Sequence, residues 1–409
     1  MSEPILQTQG GIYQLTWRDE KIQITMRRIR EEKSGVFGEL TIVTSNPAFH
    51  PHLHGPVGFN LTSTTTRRQL VGHLTEIHSS NWGELLEQCC KIVVEEHRQG
   101  APIVNVAGHA PSDALGMRVA PILQEKNSAI IYGEGDSLKS FFATWVSVIT
   151  RLGQPQAGLI PEPTPGVLYL DWETDVDTFW YRVNMISAGL GGAIPEGIYY
   201  RPMVQRLVDE MEALSQFVMD NDIGLIVIDS AAPATLEPEK AEYVVPFFAN
   251  LRKLDTTSLI VAHMTKQARG DYPFGSTMWR NLARSNYQIK ADRTQDDVAI
   301  SLRHTKENNR KRLSPLGFRF AFSDDELVVT AAEAADYPDL AQDVGLTVRI
   351  RKILEGGALT TKEITEGIHA MEGEGKTSVN SIASTLSRGT KQGQFVKIGA
   401  EYGNLRQEH

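Results

Sequence analysis

The chain has 409 residues, 41% of them hydrophobic and 22% charged, which suits two or three globular domains with sizeable cores and excludes a fibrous or wholly disordered chain. Fifty acidic against 41 basic residues leave a formal net charge of -9, so the protein is not a basic nucleic-acid coat, and any nucleic-acid contact must come from local basic patches. The start MSEPILQTQGG lacks a basic stretch followed by an apolar run, no apolar segment is long enough to span a bilayer, and the adjacent Cys89 and Cys90 cannot form an ordinary disulfide. A cytoplasmic protein without membrane contact is therefore expected.

Residues 1–104 read as an N-terminal β-rich α+β domain. Tyr13, Leu15, Ile22, Ile24, Phe37, Leu40 and Ile42 fall in short β-rich runs separated by polar turns, up to about residue 66, and the periodicity of 82–98 predicts a helix. His50, His52 and His54 alternate, yet no cysteine supports a metal site, and the neighbouring prolines and glycine predict a loop. Residues 105–330 alternate short apolar runs, SAIIYG, GVLYLDWE, GLIVIDS and SLIVAH, with amphipathic segments. That pattern predicts an α/β core on a parallel sheet buried on both faces. An acidic, Ala-rich stretch at 331–345 reads as a linker. Residues 346–409 read as a winged helix, with helix-like segments LTVRIRKILEGG, LTTKEITEGIHAM and TSVNSIASTLSRGTKQG before a β-like tail.

The chemistry concentrates in the middle. The strand SAIIYG runs into Gly133-Glu134-Gly135-Asp136-Ser137-Leu138-Lys139-Ser140 and then the helical FFATWVSVI. Small residues let backbone N–H groups approach phosphates, a helix N-terminus favours the anion, Lys139 adds a cation and the Ser140 hydroxyl can reach Mg²⁺. Gly133, Gly135, Asp136, Ser137, Lys139, Ser140 and Phe141 are therefore the expected binding residues for ATP, although Leu138 stands where a glycine is usual. The segment Gly373-Glu374-Gly375-Lys376-Thr377 imitates the end of such a loop, but no apolar strand precedes it and it reads as a plain loop. VLYLDWE delivers Asp171 and Glu173, which strand alternation would place on one face. Glu173 is preferred as the base that polarises the attacking water, with Asp171 the alternative. GLIVIDS delivers Asp229, placed with Ser140 to hold Mg²⁺, and SLIVAH ends in His263, able to sense a γ-phosphate.

These four strand-end motifs, in this order, resemble the RecA/DnaB-like ATPases, and more closely the RepA-type hexameric helicase ATPases of plasmids and phages. The likeness covers about 105–330 and extends to Gly275-Ser276 before TMWRNLARSNYQI and to Lys306-Glu307-Asn308 in a late strand. It implies a RecA-like P-loop fold, ATP hydrolysis with Mg²⁺, and a homo-oligomeric ring, a hexamer, in which Arg280, Arg284, Lys306 or Arg310 reaches a neighbour's nucleotide. Lys306 and Arg310 are the catalytic candidates among these. The expected function is a ring-forming, ATP-hydrolysing, DNA-linked motor of the replicative-helicase kind. The alternatives are an ATP-dependent regulatory or DNA-binding switch without translocation, and a scaffold with a decayed site. DNA contacts are expected from Arg388, Lys391 and Lys397 of the winged helix on duplex, and from Lys266 and Arg269 on single strands.

Overall fold

The computed structural model describes residues 3–100, 103–108, 116–264, 275–293, 297–337, 340, 345–372 and 376–405. The chain forms two compact units. The first comprises Met1–Ala114 together with the later segments Asp209–Asn221 and Arg252–Asp255. Its antiparallel sheet runs in sequence order, β1 (Ile5–Gln9), β2 (Ile12–Trp17), β3 (Ile22–Glu32), β4 (Gly35–Thr44) and β5 (His52–Asn60), followed by helices α1 (Thr64–Ile77) and α2 (Trp82–Gln99). Leu15, Trp17, Ile24 and Leu40 of the sheet share a buried core with Leu85, Leu86, Cys89 and Val93 of α2. Their alternate spacing in the strands and helical spacing in α2 is what binary patterning demands of a sheet covered by a helix. Two details differ from expectation. His52 and His54 lie in β5, not in a loop. The helix α1 also carries few apolar residues, burying Leu70 and Leu74, so its period is faint in the sequence.

The second unit carries the large sheet. In chain order its elements are β6 (Met117–Ala120), β7 (Leu123–Gln124), β8 (Ser128–Gly133), α3 (Lys139–Leu152), β9 (Ile160–Pro161), β10 (Gly166–Asp171), α4 (Val176–Gly189) and β11 (Ile198–Pro202). After α5 (Met211–Asp220), which belongs to the first unit, come β12 (Ile223–Asp229), α6 (Ala231–Thr235), α7 (Ala241–Lys253), β13 (Thr257–His263), α8 (Thr277–Leu282), β14 (Ser285–Asp292), β15 (Val298–Glu307), β16 (Leu316–Phe322) and β17 (Leu327–Ala332). The nine-stranded order is β11-β10-β12-β13-β8-β14-β15-β16-β17. Pairing is parallel from β11 through β14 and antiparallel from β14 to β17. The parallel strands predicted from the apolar runs are present, and nearly every residue of β8, β10, β12 and β13 is buried. Their C-terminal ends, where parallel α/β sheets place ligands, converge beside the N-terminus of α3.

Residues 345–405 form α9 (Leu346–Ile353), β18 (Leu359–Thr360), α10 (Thr361–Glu372), α11 (Val379–Lys391), β19 (Phe395–Ile398) and β20 (Glu401–Asn404). The three strands pair in the order β18-β20-β19. Ile350, Ile364, Ile368, Ile382, Leu386 and Phe395 make a small core of their own. No helix of the described residues is long and apolar enough to cross a membrane.

Candidate active site

The loop between β8 and α3 is held tightly. A Cβ at Gly133 would sit 2.4 Å from the Ile289 carbonyl oxygen, so only glycine allows β14 to approach so closely. Asp136 (φ 60°) and Leu138 (φ 57°) both take the left-handed conformation. Leu138, at the position where glycine is usual, therefore keeps the backbone geometry a glycine would give, at a cost of roughly 1–2 kcal/mol. No side chain caps α3, its first turn has no acidic residue, and its first intrahelical bond runs from Phe142 N–H to the Leu138 carbonyl. The N–H groups of Lys139, Ser140 and Phe141 thus lack intrahelical partners and point toward the loop side.

Around that helix end lies a cavity of about 480 Å³ whose lining includes Asp136, Ser137, Lys139, Ser140, Phe141, Glu173, Asp229 and His263. Lys139 is only 5% exposed and donates to the Glu134 carbonyl (2.6 Å) and Ser137 Oγ (3.1 Å). Burial lowers its pKa, while Asp229, Glu173 and Asp136 pull the other way. Asp229, 2% exposed, accepts the Tyr169 hydroxyl at 2.7 Å through Oδ2. Its Oδ1 is buried without a hydrogen-bond partner. Burial raises the Asp229 pKa against the lowering effect of the Tyr169 and Ser140 hydroxyls. A buried carboxylate oxygen with no donor, beside a serine hydroxyl, is a donor set that suits a hard cation.

Glu173, preferred by the sequence, and Asp171, its alternative, part company here. β10 ends at Asp171, so strand alternation does not govern Glu173. Asp171 is buried and saturated, accepting from the Glu173 N–H (2.8 Å), the Thr174 N–H (3.0 Å) and the Thr174 hydroxyl (2.6 Å). It shapes the bend after the strand. Glu173 instead lines the cavity, its Oε1 accepting from Ser230 Oγ (2.5 Å) and lying 3.1 Å from His263 Nε2. The His263 hydrogen bond, more than any other influence, holds the Glu173 carboxyl below its ordinary pKa.

Four cavity residues were not marked by the sequence, namely Arg182, Arg293, Val298 and Phe322, and two of them are cations. Arg182, on α4, lies over the Phe141 ring at 5.5 Å, and its Nη1 is buried without a hydrogen-bond partner. Arg293 donates to the Asp136 carbonyl at 2.7 Å. An arginine within a helix pattern, as Arg182 is, or just past a strand end, as Arg293 is, reads as a solvated charge, so no local signal marked either one.

Lys306 and Arg310 do not line this cavity; they are engaged within their own chain. Lys306 Nζ donates to the carbonyls of Asn281 (3.2 Å) and Ala283. Arg310 donates to the Pro121 carbonyl (3.1 Å) and to Glu307 Oε2 (3.3 Å). Lys266 and Arg269, and residues 373–375 of the imitation phosphate loop, lie outside the described residues.

Residues 103–269 match the family model described as an AAA domain. That span holds Lys139, Ser140, Glu173, Asp229 and His263. Together the match and the parallel-rich sheet support a RecA-like P-loop NTPase core in the middle of the chain. A KaiC-like protein from the hyperthermophilic archaeon Pyrococcus horikoshii OT3 is similar in structure over 51% of this chain and 93% of its own, at 14% identity and a TM-score of 0.38. No curated protein matches the chain.

Proposed function

We propose that the chain hydrolyses ATP at the α3 cavity and works as a DNA-linked motor of the replicative-helicase kind. The observation that carries the hydrolysis reading is Glu173, held by Ser230 and His263 in the same cavity as Lys139 and the buried Asp229. The free N–H groups at the α3 N-terminus, Lys139 and Arg182 suit the phosphates. Glu173, a carboxylate at neutral pH, takes the proton of the attacking water. His263, hydrogen-bonded to Glu173, ties the carboxylate to the end of β13, where a change at the terminal phosphate can be felt. A bound Mg²⁺, held by Ser140 and Asp229, would supply charge neutralisation on the phosphate oxygens.

Assembly as a ring, a hexamer, with Lys306 or Arg310 acting on a neighbour's nucleotide, belongs to the same proposal. It requires these side chains to leave their carbonyl and carboxylate partners. For duplex DNA the reading rests on α11, whose exposed Arg388 and Lys391 follow the buried Ile382 and Leu386, and on exposed Lys397 of β19. The second reading is a switch ATPase without translocation, favoured by Leu138, which stores strain at the phosphate loop. The test is ATP turnover by the full chain with Mg²⁺, with and without single-stranded DNA, alongside its mass with and without ATP. DNA-stimulated turnover by an ATP-dependent ring is expected. No phosphate release under any of these conditions would refute the enzyme reading, and turnover by a strict monomer would refute the ring.

A further inference from the structure

Phe322 ends β16 with 39% of its surface exposed, and it faces the nucleotide cavity. A phenylalanine at a strand end with so much open surface contributes little to the core. Its ring meets the Phe141 ring edge-to-face, with centroids 5.3 Å apart and planes at 86°. Phe141 is in turn covered by the Arg182 guanidinium at 5.5 Å. Val298, at the start of β15, lines the same cavity. The lining thus divides into two kinds. Lys139, Ser140, Glu173, Asp229 and His263 are polar, whereas Phe141, Phe322, Val261 and Val298 are apolar. A cavity of about 480 Å³ with this division suits a ligand that has one anionic end and one flat aromatic end.

We propose that Phe322 is the stacking platform for the nucleobase, fixed by Phe141 and, through Phe141, by Arg182. The inference rests on the ATP reading above and deepens it. The edge-to-face contact sets the tilt of the Phe322 ring, and the cation over Phe141 holds the ring behind it. Every nucleobase offers a π-face, and a phenylalanine ring has neither donor nor acceptor with which to read base edges. The platform therefore binds purines with little discrimination between them.

The experiment measures binding of ATP, GTP and inorganic tripolyphosphate to the full chain in the presence of Mg²⁺. Stacking predicts that ATP and GTP bind within roughly tenfold of each other, and about 10- to 100-fold tighter than tripolyphosphate. Phe322→Ala should remove that advantage and leave tripolyphosphate binding as it was. Phe322→Trp keeps a platform and adds a reporter, and its added emission should be quenched by ATP and GTP but not by tripolyphosphate. Unchanged ATP affinity in Phe322→Ala, or unquenched emission in Phe322→Trp despite bound ATP, overturns the stacking proposal and leaves the phosphate site standing. Failure of both nucleotides and tripolyphosphate to bind the unaltered chain overturns the nucleotide reading itself.

Discussion

The two ends of the large sheet arrange their charges differently. On the parallel side, Lys139, Glu173, Asp229 and Arg182 face one cavity and leave polar atoms without protein partners, namely Asp229 Oδ1 and Arg182 Nη1. On the antiparallel side, the strongly basic segment 303–312 gathers around its one carboxylate. Glu307, its side chain 1% exposed, accepts from Ser285 Oγ (2.9 Å), the N–H groups of Asn308 and Asn309 (2.9 Å each) and Arg310. His304 stacks on Tyr287 at 4.4 Å and accepts the Leu313 N–H. The difference follows from topology. Parallel strands all end at the same edge, so side chains from several of them meet beside a helix N-terminus. A hairpin returns on itself, and its turn must satisfy its own backbone. Neither charge density nor unmet hydrogen-bonding capacity marks a site alone, since His304 Nε2 and Arg310 Nε are also buried without hydrogen-bond partners; what sets the parallel edge apart is that polar groups from several strand ends face one cavity.

The strongest way to break this comparison is to remove a group from the cavity. Lys139→Ala should reduce ATP turnover by ~10³-fold or more, because developing phosphoryl charge loses its buried cation. Glu173→Gln should cost about 10²–10⁴-fold in turnover while nucleotide still binds, since water activation is lost and the phosphate contacts remain. Phosphate release and nucleotide binding, measured side by side, check both. A Glu173→Gln chain as active as the parent would return the base role to an unassigned group.

On the antiparallel side the expected loss is stability. Glu307→Ala leaves Arg310, Ser285 and two backbone N–H groups without their acceptor and should cost about 3 kcal/mol, read as a lower thermal midpoint. ATP turnover at temperatures where the variant stays folded should not fall, because Arg310 loses a partner that it must leave in order to reach a neighbour's nucleotide. A large loss of turnover in the folded variant would place the Glu307 carboxylate itself in the chemistry.

A smaller effect is expected at Leu138. Glycine there relieves roughly 1–2 kcal/mol of left-handed strain but gives up the partial packing of Leu138 against the core, so net stability should shift by about 1 kcal/mol or less. Turnover separates the two functional readings. A motor should change little, whereas a switch restrained by loop strain should speed up, and steady-state ATP hydrolysis by Leu138→Gly decides between them.

The smallest effect is a pH dependence at Lys306. Burial, then repulsion from Arg284 and Arg280, lowers its pKa to about 8. The unfolded chain keeps this proton to about pH 10.4, so between about pH 8 and 10.4 unfolding takes up a proton and this group's contribution to stability rises with pH. Below pH 8 the side chain is protonated in both states and the unfavourable contribution is constant. Denaturant midpoints at pH 7.5 and 9.5 should differ less in Lys306→Met than in the parent. An identical pH response in both would show that Lys306 is better solvated than its surroundings suggest.

How much could be read without the fold depended on the range of the interaction. The strand, loop and helix around Lys139 and Ser140 are consecutive, so their chemistry was legible from residue types, as were the apolar runs of β8, β10, β12 and β13. Glu173 was already preferred over Asp171, but the geometry behind that preference was not legible. It required knowing that the strand stops at Asp171 and that Ser230 and His263, from two other strand ends, grip the glutamate. Arg182, Arg293 and Phe322 lie far from the loop in sequence and meet it only when α4, β14 and β16 pack around it. The basic run at 303–312 invited a role reaching a neighbour, yet Lys306 and Arg310 are first of all partners for their own chain's oxygens. By itself the sequence determined which segments form buried strands and where the strand–loop–helix carrying Lys139 and Ser140 sits, because both depend on neighbours along the chain. The tertiary structure decided which charges meet in one cavity and which bind oxygens outside it, because that depends on which strand ends the topology brings to one edge.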